Sequence, residues 1–347
     1  MRAFACDNCG QLLFFENSVC LRCGTPQGFV VDRLELAALS DADGSADGLR
    51  RCANAAVATC NWMLASDDVE ALCRSCRLTR TRPNDSDAQA LAAFAEAESA
   101  KRRLLFQLLD VGLPVQANGP RFDLLSSAFE PVSTGHEDGL ITIDLAESDD
   151  VRREQRRAEL GEPYRTMLGH FRHEVAHYYW PLLVEQVEGA TLERFRSLFG
   201  DEREDYAAAQ ERHYSDGPRA DWAQAHVSAY ATMHPWEDWA ETFAHYLHIR
   251  DTLQTAAAFG LLVAGPQPVD DPTLTSVPEI DAVGEPIESL IESWLPLTYA
   301  LNAVNRSMGL GDLYPFTLAP AVIEKLGYVH ERVLGGQGSQ AMARARL

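Results

Sequence analysis

Residues 170–180 read His170-Phe171-Arg172-His173-Glu174-Val175-Ala176-His177-Tyr178-Tyr179-Trp180, and this stretch decides what kind of domain the chain builds. His173 and His177 are four apart, so on a helix both rings project from one face, one turn apart. Two imidazole nitrogens placed this way can share one zinc ion at about 2.0–2.1 Å. Glu174, beside the first histidine, is angled toward the coordination position left open. A carboxylate there can take a proton from zinc-bound water and pass it to a leaving amine. Three fixed positions in five also arise by chance in a chain with ten histidines, so the pattern needs a third ligand.

The best source is residues 236–246, WEDWAETFAHY. Trp239, Ala240, Phe243 and Ala244 give this segment a buried helical face, and Glu237 and Glu241 sit on it one turn apart. One carboxylate can complete a His-His-Glu shell. The other can accept the free ring N–H of a ligand histidine, the support that zinc-bound imidazoles usually have. Which does which is open at this level, and His245 is a competing third ligand. The alternative is a salt-bridged amphipathic helix, although carboxylates on so apolar a face need a partner. An oxyanion donor is also required, with Tyr230, Tyr246 and His248 in range. His170 and His234 are expected to support the site or lie at the surface.

Working outward, the 347 residues suggest about two domains, and 46% hydrophobic with 23% charged residues describes an ordinary globular protein. The longest apolar stretch, Thr255 to Gly265, is too short to span a bilayer. The opening MRAFACDNCG has no secretory pattern, so a cytoplasmic, reducing location is expected. A net charge of −21 and a pI of about 4.8 repel phosphate backbones, which disfavours nucleic acid as a partner. The basic run at residues 74–82, RSCRLTRTR, is expected to be the solvated rim of a metal knuckle.

All eight cysteines fall within the first 76 residues. Without a secretory signal such clustering favours metal over disulfides. Cys6-x-x-Cys9 and Cys20-x-x-Cys23, ten residues apart and each followed by glycine, supply four thiolates on two knuckles, the arrangement of a structural zinc ribbon. In the second set only Cys73-x-x-Cys76 has knuckle spacing. Cys52 and Cys60 are expected to complete a second four-cysteine site, the alternatives being pairing interleaved with the first set or simple burial. One or two structural zinc ions thus join one catalytic ion, and metal supplies stability that a segment with little core lacks. A redox role is disfavoured because no βαβ pattern surrounds the pairs.

The expected architecture is α+β. A zinc-ribbon region over residues 1–80 precedes a mainly helical domain with a small sheet over 81–334 and a flexible tail over 335–347. Helical patterns run over residues 88–109, 164–180 (ending at Pro181), 192–198, 217–232, 235–262, 287–308 and 320–334, with an exposed helix at 149–157 and a long proline-rich loop over 265–286. Residues 139–145, GLITIDL, read as a strand, with His136 just before it. Such a strand could be the sheet edge that holds an extended substrate.

Glu-x-x-Ala-Glu at 237–241 resembles the third-ligand helix of gluzincin peptidases, including the thermolysin-like and lethal-factor-like enzymes. That resemblance implies Glu237 as ligand and Glu241 as the residue orienting a histidine, and Tyr230 matches the placement of a catalytic tyrosine in lethal-factor-like enzymes. The order of CDNCGQLLFFENSVCLRCG, LCRSCRLTRT, AKRRLLFQLL, TGHEDGLITIDLAE, GEPYRTMLGHFRHEVAHYYW, LFGDEREDYAAA and HPWEDWAETFAHYLH resembles a bacterial family of zinc-binding metallopeptidases with an N-terminal zinc ribbon. The likeness covers residues 1 to about 260. It implies a peptidase acting on peptide or isopeptide bonds, with the ribbon docking a substrate or partner, and no particular substrate. Two rival readings are a zinc amidase on a small non-peptide substrate and a non-catalytic zinc-ribbon binding protein.

Overall fold

The computed structural model describes residues 1–39, 48–116, 119–128, 130–148, 166–187, 189–266, 268–269, 271–279 and 284–344. The helix expected at 149–157, and the Gly161-Glu162-Pro163 punctuation after it, lie outside them. The chain forms two compact units. The first comprises the described residues of Met1–Asp110, Pro114–Gln155 and Thr166–Phe171, and the second those of Val111–Leu113 and Arg172–Leu347.

The first unit begins with three small antiparallel strand pairs. Strand β1 (Phe4–Ala5) pairs with β2 (Leu12–Leu13), β3 (Gln27–Val30) with β4 (Glu35–Ala38), and β5 (Leu49–Arg51) with β6 (Met63–Ala65). At the first two knuckles Gly10 and Gly24 have φ of 70° and 73°, a region that glycine enters without cost. Their amides close each turn on the carbonyls of Cys6 and Cys20, both at 2.8 Å.

Helix α1 (Ala88–Asp110) extends the expected 88–109 pattern by one residue, and Gly112 follows it at φ 74°. Phe106 of α1 packs 5.1 Å from the Phe15 ring and 5.7 Å from Phe29, which itself lies 5.2 Å from Trp62. Helix α1 is therefore rooted in the core of the Cys-rich region. Beneath it a buried ionic group ties α1 to strand β7 (Thr79–Thr81): Lys101 Nζ bonds both Glu98 and Thr79.

Strands β7, β8 (Arg121–Leu125), β9 (Gly135–Glu137) and β10 (Leu140–Asp144) form one sheet in the order β7-β8-β10-β9. The GLITIDL strand is thus present as β10 but does not lie at an edge. It runs parallel to β8 and antiparallel to β9, so its backbone groups are committed on both sides. Among the described residues the edges are β7 and β9.

The second unit is helical. Helix α2 (Met167–Leu183) begins in the first unit and continues here. It runs through Pro181 instead of stopping there. A proline so near the end removes little of the ladder, and Val184 N still reaches Trp180 O at 2.9 Å. Then come α3 (Ala190–Phe199), α4 (Tyr206–Asp216), α5 (Pro235–Ala258), α6 (Ile287–Ser307) and α7 (Pro320–Arg344). The backbone of α7 continues ten residues past Leu334, where the pattern was expected to end. Helix α5 is the axis of this unit and packs against α3, α6 and α7. Trp239 carries much of that contact: its ring meets Phe195, Phe199, Phe243 and Tyr328, and its Nε1–H donates to Ala176 O of α2 at 2.9 Å.

The helix expected over 217–232 is absent. Two short 3-10 turns, Trp222–Gln224 and Tyr230–Thr232, stand there instead, and before the second Ser228 turns its hydroxyl to other partners. It donates to Glu241 and accepts from Ala231 N, the kind of local bonding that competes with a helix. No helix among the described residues is long and apolar enough to cross a membrane.

Candidate metal centre

The second unit brings the His-Glu-x-x-His face of α2 against the first two turns of α5. His234 fixes where α5 starts. Its Nδ1 accepts from Trp236 N at 3.1 Å, its Nε2–H donates to Glu204 O at 3.1 Å, and Pro235 follows at the first helical position. His234 is thus a helix cap, not a surface residue.

From that start Glu237 and Glu241 project toward the histidines. His173 Nε2 lies 2.9 Å from Glu237 Oε2, His177 Nε2 lies 3.5 Å from Glu237 Oε1, and the two Nε2 atoms are 3.3 Å apart. Zinc with ligands at about 2.0–2.1 Å sets neighbouring tetrahedral ligand atoms about 3.3 Å apart. His173, His177 and Glu237 therefore form a group of donors with the chemistry and spacing for one such ion. Glu241 Oε1 lies 2.7 Å from His173 Nδ1, and its other oxygen accepts from Ser228 Oγ at 2.7 Å.

Two further contacts were not read from the sequence. One is Ser228 on Glu241. The other is Tyr206, whose hydroxyl donates to Glu237 Oε1 at 3.0 Å from a point thirty-one residues upstream in sequence.

The local field favours a cation. Burial opposes charge on His173, yet the carboxylates of Glu237 and Glu241 on its two nitrogens outweigh this and hold its pKa well above the ordinary value. Burial also works against ionised Glu237 and Glu241, but His177 and His173 keep the first well below the carboxylate range and His173 brings the second to about 2. A pocket that pulls a proton onto an imidazole this strongly equally suits a divalent ion. Glu174, beside His173, is 8% exposed, and its Oε2 has no hydrogen-bond partner among the described residues.

The Tyr230 ring lies 5.9 Å from that of His173, and burial pushes its hydroxyl pKa up. The rivals are engaged elsewhere. His245 Nδ1 hydrogen-bonds the Tyr314 hydroxyl at 2.7 Å, Tyr246 pairs with His330 at 3.0 Å, and His248 stacks on Tyr314. His245 is not part of the metal-capable group. In the first unit, His170 pairs with Glu147, and His136 accepts from Gly139 N at 3.0 Å.

The eight cysteines gather into two sets, Cys6, Cys9, Cys20, Cys23 and Cys52, Cys60, Cys73, Cys76, with the sulfurs of each set within 4.8 Å of one another. Interleaved pairing and simple burial of Cys52 and Cys60 are thus set aside. Sulfur separations of 3.8 Å (Cys6–Cys23), 3.7 Å (Cys9–Cys20) and 3.6 Å (Cys60–Cys73) match the roughly 3.8 Å edge of a zinc–thiolate tetrahedron with bonds of about 2.3 Å. The neighbouring basic run is less bare than expected. Arg74 bonds Val115 O, Arg77 meets Asp68, Arg80 meets Asp123, and Arg82 meets Asp85.

A family model described as "Putative zinc-binding metallo-peptidase" matches residues 90–332, and one described as a zinc-ribbon domain matches residues 3–87. Two proteins named only as uncharacterized, one of Mycobacterium bovis and one of Mycobacterium tuberculosis, are each 51% identical to this chain over 336 residues, which is 95% of this chain and 94% of theirs. No solved structure matches it. With donor sets for zinc in both units and a match over most of its length, the chain belongs to this zinc-binding metallopeptidase family and carries an N-terminal zinc ribbon.

Proposed function

We propose that the chain is a gluzincin-type zinc peptidase that hydrolyses peptide or isopeptide bonds, with His173, His177 and Glu237 as ligands of the catalytic ion. The observation that carries this reading is the gathering of His173, His177 and Glu237, with one donor atom of each within 4.8 Å of the others, beside the buried, unpartnered Glu174 Oε2. Bound there, zinc would supply an acidified water and a polarised scissile carbonyl.

The remaining work falls to side chains of this chain. Glu174 takes one proton from the attacking water through its free oxygen and delivers it to the departing amine nitrogen, so the carboxylate is regenerated as the C–N bond breaks. Glu241 fixes His173 in the tautomer that leaves Nε2 free as a ligand. Tyr230, whose ring lies 5.9 Å from that of His173, donates its hydroxyl to the carbonyl oxygen as negative charge grows there.

Two further zinc ions occupy the cysteine sets as structural ions, and the ribbon is the surface through which a protein substrate or partner docks. A reducing, cytoplasmic setting fits eight cysteines grouped as metal ligands with no disulfide among them.

The test is Glu174→Gln in the full chain, assayed on a denatured-protein peptide pool by mass spectrometry. Zinc content is expected to stay unchanged while cleavage falls by at least about a hundredfold. Cleavage that persists at the wild-type rate overturns the assignment of Glu174.

A further inference from the structure

Helix α4 and the start of α5 are held to one another at two points. Glu204 O, just before α4, accepts from His234 Nε2–H at 3.1 Å, and Tyr206 Oη of the first turn donates to Glu237 Oε1 at 3.0 Å. Between those bonds the Tyr206 ring lies 5.2 Å from the His234 ring and 6.3 Å from Trp236. Asp205 caps α4 through a bond from Ala208 N at 2.9 Å, so the helix that presents Tyr206 is itself anchored. The phenol is thus aimed by packing and capping, not by a free rotamer.

The bond falls on one particular oxygen. Glu237 Oε2 lies 2.9 Å from His173 Nε2, whereas Oε1 lies 3.5 Å from His177 Nε2 and also accepts from the tyrosine. A carboxylate free at both oxygens can chelate a metal through both, which fills the position a catalytic site must keep for water. Holding one oxygen with a phenol leaves the other as the single donor. We infer that Tyr206 is a positioning residue that keeps Glu237 monodentate and the metal four-coordinate. This inference rests on the proposed His-His-Glu site.

The experiment uses full chain in which only the exchangeable metal has been replaced by Co2+, comparing wild type with Tyr206→Phe. Expected for the variant are a fall in the visible d–d absorption, the mark of a fifth ligand, and zinc affinity weakened about tenfold to a hundredfold. Thermal unfolding with and without the exchangeable metal supplies a second readout. A purely structural role for Tyr206 lowers both melting temperatures equally, whereas a positioning role shrinks the increment that metal gives. An unchanged spectrum and affinity, or an equal fall in both melting temperatures, overturns the role of Tyr206 while leaving the site in place. A wild-type chain with no exchangeable metal, or one whose exchangeable metal survives His177→Ala, overturns the site and the inference together.

Discussion

Glu241 Oε1 lies 2.7 Å from His173 Nδ1 while Glu237 Oε2 lies 2.9 Å from Nε2 of the same ring. One imidazole is thus gripped at both nitrogens by two carboxylates a single turn apart on α5. The two bonds have different consequences. The one at Nδ1 can persist when a metal takes Nε2, because it needs only the ring proton on the far side. Glu237 is the one that faces both histidines, Ser228 holds the second oxygen of Glu241, and Tyr206 donates to Glu237 Oε1.

The asymmetry yields a graded prediction for α5. Glu241→Gln is expected to weaken zinc at this site by about tenfold to a hundredfold, the usual effect of losing a partner behind a ligand. Glu237→Ala removes a donor and is expected to empty the site at zinc concentrations that saturate the wild type. Titration with a zinc chelator ranks the variants. Equal losses, or a larger one in Glu241→Gln, would show that the ligand order is reversed.

Metal counting separates the centres. The native full chain is expected to hold three zinc ions by elemental analysis, His173→Ala two, and Cys60→Ser two. Only the cysteine variant is expected to lose folded structure in the first unit, because a buried four-thiolate set carries folding free energy that a short Cys-rich chain cannot replace with core. Two zinc ions in the native chain, with no change in Cys60→Ser, would remove the second cysteine site.

What the sequence made legible were features written in local spacing. The Cys-x-x-Cys knuckles, the four-residue step from His173 to His177, and the four-residue step from Glu237 to Glu241 each lie within a turn or two of backbone, so helix or knuckle geometry converts sequence distance directly into space. Tyr206 and Ser228 were not legible for the opposite reason. Each reaches its glutamate from another segment. Tyr206 lies within the LFGDEREDYAAA stretch that carries the resemblance, but its spacing points to no glutamate, and nothing near Ser228 marks it. Residues 217–232 misled in a different way. Their alanines favour a helix, but the bonds of Ser228 to Glu241 and Ala231 hold a turn there. Strand β10 was found, yet its neighbours β8 and β9 were not, and only pairing shows which strand is the edge.

Phe106 tests whether α1 belongs with the cysteine region. Its side chain is 1% exposed and touches Phe15 and Phe29 from two different parts of the ribbon. Phe106→Ala is expected to destabilise the first unit by about 3–5 kcal/mol through lost transfer energy and the cavity left behind. Denaturant unfolding followed by tryptophan fluorescence reads this, with Trp62 buried beside Phe29 as the reporter. A loss below about 1 kcal/mol would mean that α1 and the ribbon are stabilised independently.

His245 gives the fold a defined response to acid. It is 7% exposed, bonded to Tyr314 and edge-on to the Phe316 ring at 4.5 Å. The groups that act on it are Glu241, which favours its charged form, and Arg172, which opposes it. Burial dominates and lowers its pKa to about 4, against about 6.5 for the unfolded chain. Between those values the unfolded state binds the proton and the folded state does not, so stability is lost as pH falls from about 6.5 toward 4. The full difference corresponds to up to about 3 kcal/mol. Zinc loss also destabilises the protein in acid, so the informative quantity is the difference between wild type and His245→Gln, which keeps a hydrogen-bonding partner for Tyr314 but cannot titrate. Denaturant unfolding at pH 7.5 and 5.0 is expected to show a smaller loss in the variant, and equal losses would show that His245 titrates alike in the folded and unfolded chain.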